Sequence, residues 1–352
     1  MASASSTRWQ LCPVSELGTH AAEWDALNAA TLDSPAMDAE FFRIALSHFG
    51  SGDERLALAR ENGGLVAATL LEKTRSVAWQ SFQAAQAPMG AWLQTTGAAT
   101  EELLRGLQSA LGPTCLVLGV TQQDPEWLPR PASHGGLRTD DYIRTARVTV
   151  NGSFDDYWSA RGKNLRQNLR RQRNRLARES VETRMEAVSD AGAVGAAVDD
   201  YGHLESSGWK GGEGTSVHPD NAQGRFYREL FETRCAQGEG VVYRYFYNDQ
   251  LVASDLCIHR NGILYLLKTA YSETEKTSSP TMLMREEMFR DFFDGGQMRR
   301  IEFYGRVMNW HTKWSDEIRT LYHISHYRPA LLARLRGNST ETSDAGEGAA
   351  AT

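Results

Sequence analysis

Apolar and polar positions along the chain follow an order of strand and helix periods that occurs twice. In the first half the pattern predicts a strand near 9–12, helices near 19–30 and 38–48, and a strand pair near 54–73. A strand near 76–83, a helix near 98–111 and strands near 114–120 and 138–150 complete it. In the second half it predicts a strand near 181–188, helices near 190–206 and 220–236, and strands near 241–248, 250–259 and 262–271. A helix near 280–294 and strands near 299–304 and 319–327 follow. Both halves set a polar turn before a Leu-Val-Ala strand start, at Leu65 and at Leu251. Phe41-Phe42 and Phe226-Tyr227 match at nearly the same offset. A repeat of this length means two similar domains rather than a solenoid; short turn-strand matches arising by chance are the plainer alternative. The expected fold class is α/β (α+β), with domains at 1–150 and 151–330. Residues 331–352, small, polar and poor in apolar side chains, read as a disordered tail.

Within the second half, residues 264–271 are almost continuously apolar, as in a strand covered on both faces. Downstream, Ser279 reads as an N-cap and Pro280 as the first helical residue. The amides of Thr281, Met282 and Leu283 are then expected to lack helical partners and, with nearby Lys276, to favour an anion such as a pyrophosphate. The two flanking strands must diverge to admit this helix and whatever sits on it. An ordinary capped helix has the same sequence signature.

Composition sets limits on these readings. With 41% hydrophobic residues, 23% charged residues and a net charge of −6, the 352-residue chain reads as soluble and globular, and a dedicated nucleic-acid partner is not expected. Cys12, Cys115, Cys235 and Cys257 lie far apart without a CxxC pair, so neither a disulfide framework nor a metal site is implied. No apolar run approaches the ~20 residues of a membrane span, and the amino end lacks an apolar h-region. A reducing, cytoplasmic setting is expected; the oligomeric state is not legible.

One segment runs against the net charge: residues 161–178 hold eight basic side chains and no acidic one. Trp158, Leu165, Leu169 and Leu176 share a stripe, so the segment reads as an amphipathic helix docked on a core. Lys163, Arg166, Arg170 and Arg173 share a flank, which is then either solvated or facing acidic partners. Arg166 and Arg170 are candidates for holding a phosphate or other polyanionic acceptor. Next, residues 203–212 end a helix in a glycine-rich loop of the kind that lines sites. Glu205 there is an acid/base candidate, and Trp209 and Lys210 are acceptor-binding candidates. In residues 301–305, two-residue alternation places Glu302 and Tyr304 on one strand face, as candidate base and acid or as a structural pair. Residues 310–314 read as a short helix closing the site, its tryptophans packed.

No nucleophile elbow, phosphate-binding lysine loop or dinucleotide glycine pattern is present. The element order in 181–327, with LESSGWKG, LVASDLCI, the stretch from Leu267 to Met288 and IEFYG before a Trp/Lys segment, resembles the GNAT acyltransferases. Its doubling is similar to Fem-type aminoacyltransferases and CelD-like acetyltransferases of cellulose and exopolysaccharide biosynthesis. That resemblance implies two tandem GNAT-like domains, each a mixed, mostly antiparallel sheet flanked by helices, the first a degenerate copy. It implies an acyl-CoA donor, acetyl-CoA or another, and no metal. The donor's pyrophosphate would rest at 276–282, including Ser278, where the family's glycines are absent. Lys268, Thr269, Ala270 and Tyr271 would align its pantetheine arm. The acceptor would be the amine or hydroxyl of a small molecule, saccharide or peptide. An aminoacyl-tRNA-dependent transferase and a non-catalytic polyanion-binding protein are the alternatives.

Overall fold

A computed structural model describes residues 7–206 and 217–328. In chain order the elements are β1 (Arg8–Pro13), α1 (Ala21–Ala29), α2 (Ala39–Phe49), β2 (Arg55–Glu61), β3 (Gly64–Arg75), β4 (Ala78–Ser81) and β5 (Trp92–Gln94). Then come α3 (Thr100–Ala110), β6 (Val117–Gln123), β7 (Leu137–Thr149), α4 (Phe154–Ala160) and α5 (Lys163–Arg178). The remainder comprises β8 (Thr183–Val188), α6 (Val194–Ser206), α7 (Ala222–Ala236), β9 (Gly240–Tyr247), β10 (Gln250–Arg260) and β11 (Ile263–Tyr271). It closes with α8 (Pro280–Gly295), β12 (Arg300–Glu302), α9 (His311–Trp314) and β13 (Glu317–Tyr327). Trp209, Lys210 and the expected tail lie outside the described residues.

The chain forms two compact units. In the first (7–32, 51–142 and 320–328) the strands run in the order β1-β2-β3-β4-β6-β13, with β5 also on β3. In the second (33–50 and 143–319) the order is β8-β9-β10-β11-β12-β7. Each sheet is antiparallel except for one pair, β4 with β6 in the first and β11 with β12 in the second. A helix connects each parallel pair, α3 and α8 respectively. The duplicated, mostly antiparallel architecture expected from the sequence is therefore the one observed.

The division at residue 150 is corrected by the strand pairing. β7, assigned from sequence to the first domain, pairs with β12 of the second unit through Val148 and Ile301. β13, assigned to the second, pairs with β6 of the first through Ile324 and Val120. Helix α2 belongs with the second unit, where Phe41 packs edge to face on Phe226, ring centroids 6.0 Å apart. The repeat-equivalent aromatics thus touch. Asp38 caps α2 by accepting from the Phe41 amide at 2.9 Å and also receives hydrogen bonds from Arg234 and Arg260.

Local chemistry accounts for the tight connections. Asn62-Gly63 joins β2 to β3 and Asn261-Gly262 joins β10 to β11, each with positive φ at both residues, the conformation Asn-Gly adopts most readily in a hairpin. The core of the second unit gathers Leu165, Leu169 and Leu176 of α5, Leu283, Met288 and Phe289 of α8, and the strands between them. The three leucines of the predicted stripe are therefore buried, and Trp158, partly buried against the same core, lies on α4, which Arg161-Gly162 separates from α5. No helix among the described residues is long and apolar enough to cross a membrane.

Candidate functional site

The site grows from one short pairing. β11 and β12 run side by side only from Ile263 beside Arg300 to Tyr265 beside Glu302. Beyond Tyr265 the parallel ladder ends, while β11 continues to Tyr271. On its other edge β11 stays paired with β10, but the register shifts between Leu256, opposite Lys268, and Cys257, opposite Leu266. Leu267 is the extra residue of a bulge, which bends the strand and interrupts the ladder at that point.

Where the strands part lies a cavity of ≈ 370 Å³, within the range of small-molecule sites. Residues 266–269 of β11 form one wall and Tyr201 and Glu205 of α6 another. The segment after β12 supplies Phe303, Gly305, Arg306, Met308, Trp310 and His311. Much of the lining is apolar, and among the described residues its charged groups are Glu205, Lys268 and Arg306.

Glu205 is buried. Its Oε2 accepts the Val217 amide at 2.7 Å, and Lys268 Nζ stands 3.5 Å from its Oε1. The Tyr201 hydroxyl lies 3.4 Å from the same Oε1, and burial with this neighbouring carboxylate pushes the phenol well above its ordinary range. Gly202, one turn earlier on α6, is required here: a Cβ would run into the Val217 carbonyl oxygen. Its absence lets the Val217 backbone approach close enough to hold the carboxylate.

His311 is 4% exposed and its Nδ1 accepts the Met308 amide at 2.9 Å. Burial first, and the nearby Arg285 charge second, lower its pKa to about 4. The imidazole is therefore neutral near pH 7, with its proton on Nε2. Its ring stacks on Trp310 at 3.5 Å, and the Arg285 guanidinium lies over the same indole at 4.1 Å. Arg285 donates to Thr269 Oγ1 at 2.6 Å and to Asp255 Oδ1 at 3.2 Å. The fully buried Asp255 carboxyl is raised by desolvation against the pull of Arg285.

The other expected site residues are placed differently. Glu302 and Tyr304 do not line the cavity. β12 ends at Glu302, and the Gly305 amide donates to the Phe303 carbonyl at 2.6 Å, closing a three-residue turn with Tyr304 at φ 44°. The turn breaks the alternation and brings Phe303 and Gly305 to the wall instead. Glu302 accepts from Arg319 at 2.8 Å and lies 3.6 Å from Arg300, while Tyr304 stacks on Tyr265.

At the start of α8, Ser279 is left-handed at φ 57° and its side chain makes no cap bond. The amides of Met282 and Leu283 both turn back to its carbonyl, at 3.0 and 3.2 Å, so of the three expected donors only Thr281 does not. Leu283 lies one residue beyond the orphan positions of a helix start. Ser278 is buried and bonded to Tyr247 and Glu275; Lys276 is exposed. Met282 accepts from the Trp314 indole, and Leu283 is in the core. The helix start is therefore a weaker anion cradle than its sequence suggested. Of the strand candidates, Lys268 and Thr269 line the cavity, Ala270 is buried and Tyr271 packs against the core.

On α5, Arg166 donates to the Arg161 carbonyl at 3.1 Å and Arg170 is exposed. Arg173 is the member of the flank that meets acids, bonding Glu286 and Glu287 of α8 at 2.9 and 2.8 Å. Arg170, Arg171 and Arg178 lie together on an outer face with Gln167 and Asn174.

The family model for the acetyltransferase (GNAT) domain matches residues 163–312, the stretch that carries the parting strands, the bulge and the cavity. These residues are similar in sequence to that domain family. The matched stretch spans most of the second unit and leaves the first unit outside it. The whole chain is similar in fold to the C-terminal domain of a protein described as a lysylphosphatidylglycerol synthetase from Agrobacterium fabrum. That likeness has a TM-score of 0.56 at 14% identity and covers 95% of this chain and 100% of that one. It is similar also to FemX, at a TM-score of 0.56 and 11% identity over 89% of this chain and 97% of that one. A conserved protein of unknown function from Bacteroides thetaiotaomicron gives 0.53 at 9% identity over 92% and 100%. These identities speak for the fold alone. No curated protein matches the chain in sequence.

His311, Arg285 and Asp255 were not assigned roles from the sequence. The sequence signal of His311 is no more than a histidine between two tryptophans in the segment 310–314.

Proposed function

We propose that the protein is an N-acyltransferase that moves an acetyl or similar acyl group from coenzyme A to an amine. The observation that carries this reading is the parting of β11 and β12 after three residue pairs, with buried Glu205 in the wall of the resulting cavity. Beyond Tyr265, where β12 no longer pairs with it, β11 offers amides and carbonyls to an extended thioester arm, as a strand edge does to an added strand. Lys268 and Thr269 lie along that edge. Lys276 and the Thr281 amide are the groups at the helix start for the donor's phosphates.

In this reading Glu205 takes a proton from the acceptor ammonium, and the freed amine attacks the thioester carbonyl carbon. The C–N bond forms, the C–S bond breaks, and the sulfur leaves as a thiolate that takes up a proton as the amide nitrogen loses its own. Proximity within the cavity supplies much of the rate. The test is release of free thiol from acetyl-CoA and longer acyl-CoAs against a panel of amines, amino sugars and amino acids. Amine-dependent release that Glu205→Gln lowers by about 100-fold supports the reading; no release with any donor and acceptor overturns it.

The exposed Arg170, Arg171 and Arg178 face favours a second reading, transfer of an aminoacyl group from a charged tRNA. Retention of RNA with a steep salt dependence, together with no stabilisation by acetyl-CoA, would support that alternative.

A further inference from the structure

We propose that Arg285 is a positioning residue that acts through Trp310 to hold His311 as a neutral Nε2–H donor to the carbonyl oxygen of the acyl donor, which makes His311 a catalytic residue. The inference rests on the acyl-transfer reading of the same cavity and names the group that stabilises its developing charge.

Three contacts carry it. Met308 donates its amide to His311 Nδ1, so that nitrogen presents a lone pair and the proton resides on Nε2. An imidazolium would set two N–H groups against each other there. Next, Trp310 is the shared neighbour of Arg285 and His311, at 4.1 Å from the guanidinium and 3.5 Å from the imidazole. A second cation in this buried stack is opposed by the first. Finally, Arg285 is itself fixed by Asp255 and by Thr269, a residue of the cavity wall on β11. One buried side chain therefore ties the β11 wall to the wall that carries His311.

The chemistry needs such a donor. As the amine adds, negative charge builds on the thioester oxygen, and a fixed N–H in a site with little water stabilises it without reorganising. A neutral imidazole serves this purpose while leaving Glu205 as the proton acceptor. Besides Arg285 of α8 and Asp255 behind it on β10, the charged groups around the cavity among the described residues are Glu205 of α6, Lys268 of β11 and Arg306 after β12.

The test compares Arg285→Met, Arg285→Lys and His311→Ala with wild type in the full chain, each checked by circular dichroism and by its melting shift with acetyl-CoA. The expected result is a kcat about 100-fold lower in Arg285→Met at a donor KM within about threefold, with partial recovery in Arg285→Lys. In the His311→Ala background, Arg285→Met should cost no further activity. By NMR titration the His311 imidazole should stay neutral to lower pH in wild type than in Arg285→Met, where it should titrate higher. An Arg285→Met loss that is the same with and without His311, or an unmoved imidazole titration, overturns the assignment while leaving acyl transfer standing. A wild type without thiol release from any donor removes both.

Discussion

Glu302 accepts a hydrogen bond from Arg319 at 2.8 Å while its side chain is almost fully buried. This carboxylate lies outside the cavity lining, and among the described residues Glu205 is the carboxylate in it. Glu302→Gln is expected to lower stability by about 1–3 kcal/mol, the scale of a hydrogen bond to a charged group. Its turnover per folded molecule should stay near wild type. Glu205→Gln, which also loses charge beside the Val217 amide and Lys268, should carry a similar cost in stability but lose turnover per folded molecule as well. Urea denaturation beside thiol-release kinetics separates the two, and a Glu302→Gln protein that is stable but inactive would make Glu302 a catalytic residue.

Stability should fall as the pH drops below about 6.5. His311 is lowered to about 4, and His259, His323 and His326 are also lowered, each with burial as the leading cause. Between the folded and unfolded pKa values the unfolded chain binds protons that the folded chain refuses. The stability from neutral histidines is therefore complete above the unfolded value and lost as pH falls toward the folded one. For His311 alone the loss is at most about 3 kcal/mol. Melting curves of wild type and His311→Asn between pH 4 and 7.5 should converge as the pH falls.

Two arginines on the same helix should behave differently. Arg173 bonds Glu286 and Glu287, whereas Arg170 is exposed. Arg173→Ala is expected to cost about 1–3 kcal/mol, and Arg170→Ala to stay within about 0.5 kcal/mol. Denaturant midpoints decide this, and equal midpoints would mean that the α5–α8 ion pairs contribute nothing.

Asp38 anchors α2 to the second unit. Its carboxylate caps the helix and faces the fully buried Arg234 as well as Arg260. Asp38→Ala leaves a buried cation short of its partner and should destabilise by about 3–5 kcal/mol, more than the ~1 kcal/mol of an N-cap alone. A loss of cap size only would mean that Arg234 finds enough compensation in Glu239 and the Pro35 carbonyl.

Gly202→Ala should disturb the site without touching a charged group. The new methyl would push the Val217 backbone away from α6 and remove the amide that holds Glu205. Turnover is expected to fall about tenfold or more, the scale of a misplaced catalytic group, with donor affinity little changed by calorimetry. Unchanged turnover would show that Val217 does not set the Glu205 position.

Much of the fold was legible because periodicity depends on neighbours along the chain. Each predicted strand and helix of the second half has a counterpart in the structure, within a few residues at its ends. The three-residue β5 and the break between α4 and α5 were missed, being short interruptions of longer patterns. The site was less legible. Two-residue alternation predicted a shared face for Glu302 and Tyr304, but a left-handed Tyr304 ends the strand between them. Ser279-Pro280 reads as a capped helix start, but the turn of 3-10 helix running into it sets Ser279 left-handed and turns its side chain away from capping.

The sequence by itself determined the repeated element order, the apolar stripe of α5 and the helix beginning at Pro280, since each is set by side-chain period and local backbone preference. Only the tertiary structure decided which strand completes which sheet, which carboxylate reaches the cavity, and that Arg285, Trp310 and His311 meet. Those outcomes depend on contacts between residues distant in the chain: β7 and β13 reach their partners across long connections, and Val217 reaches Glu205 where Gly202 leaves room. Local pattern carries no record of such distances, because any of several apolar strands satisfies the same periodicity. Packing and hydrogen bonding in the folded chain select one.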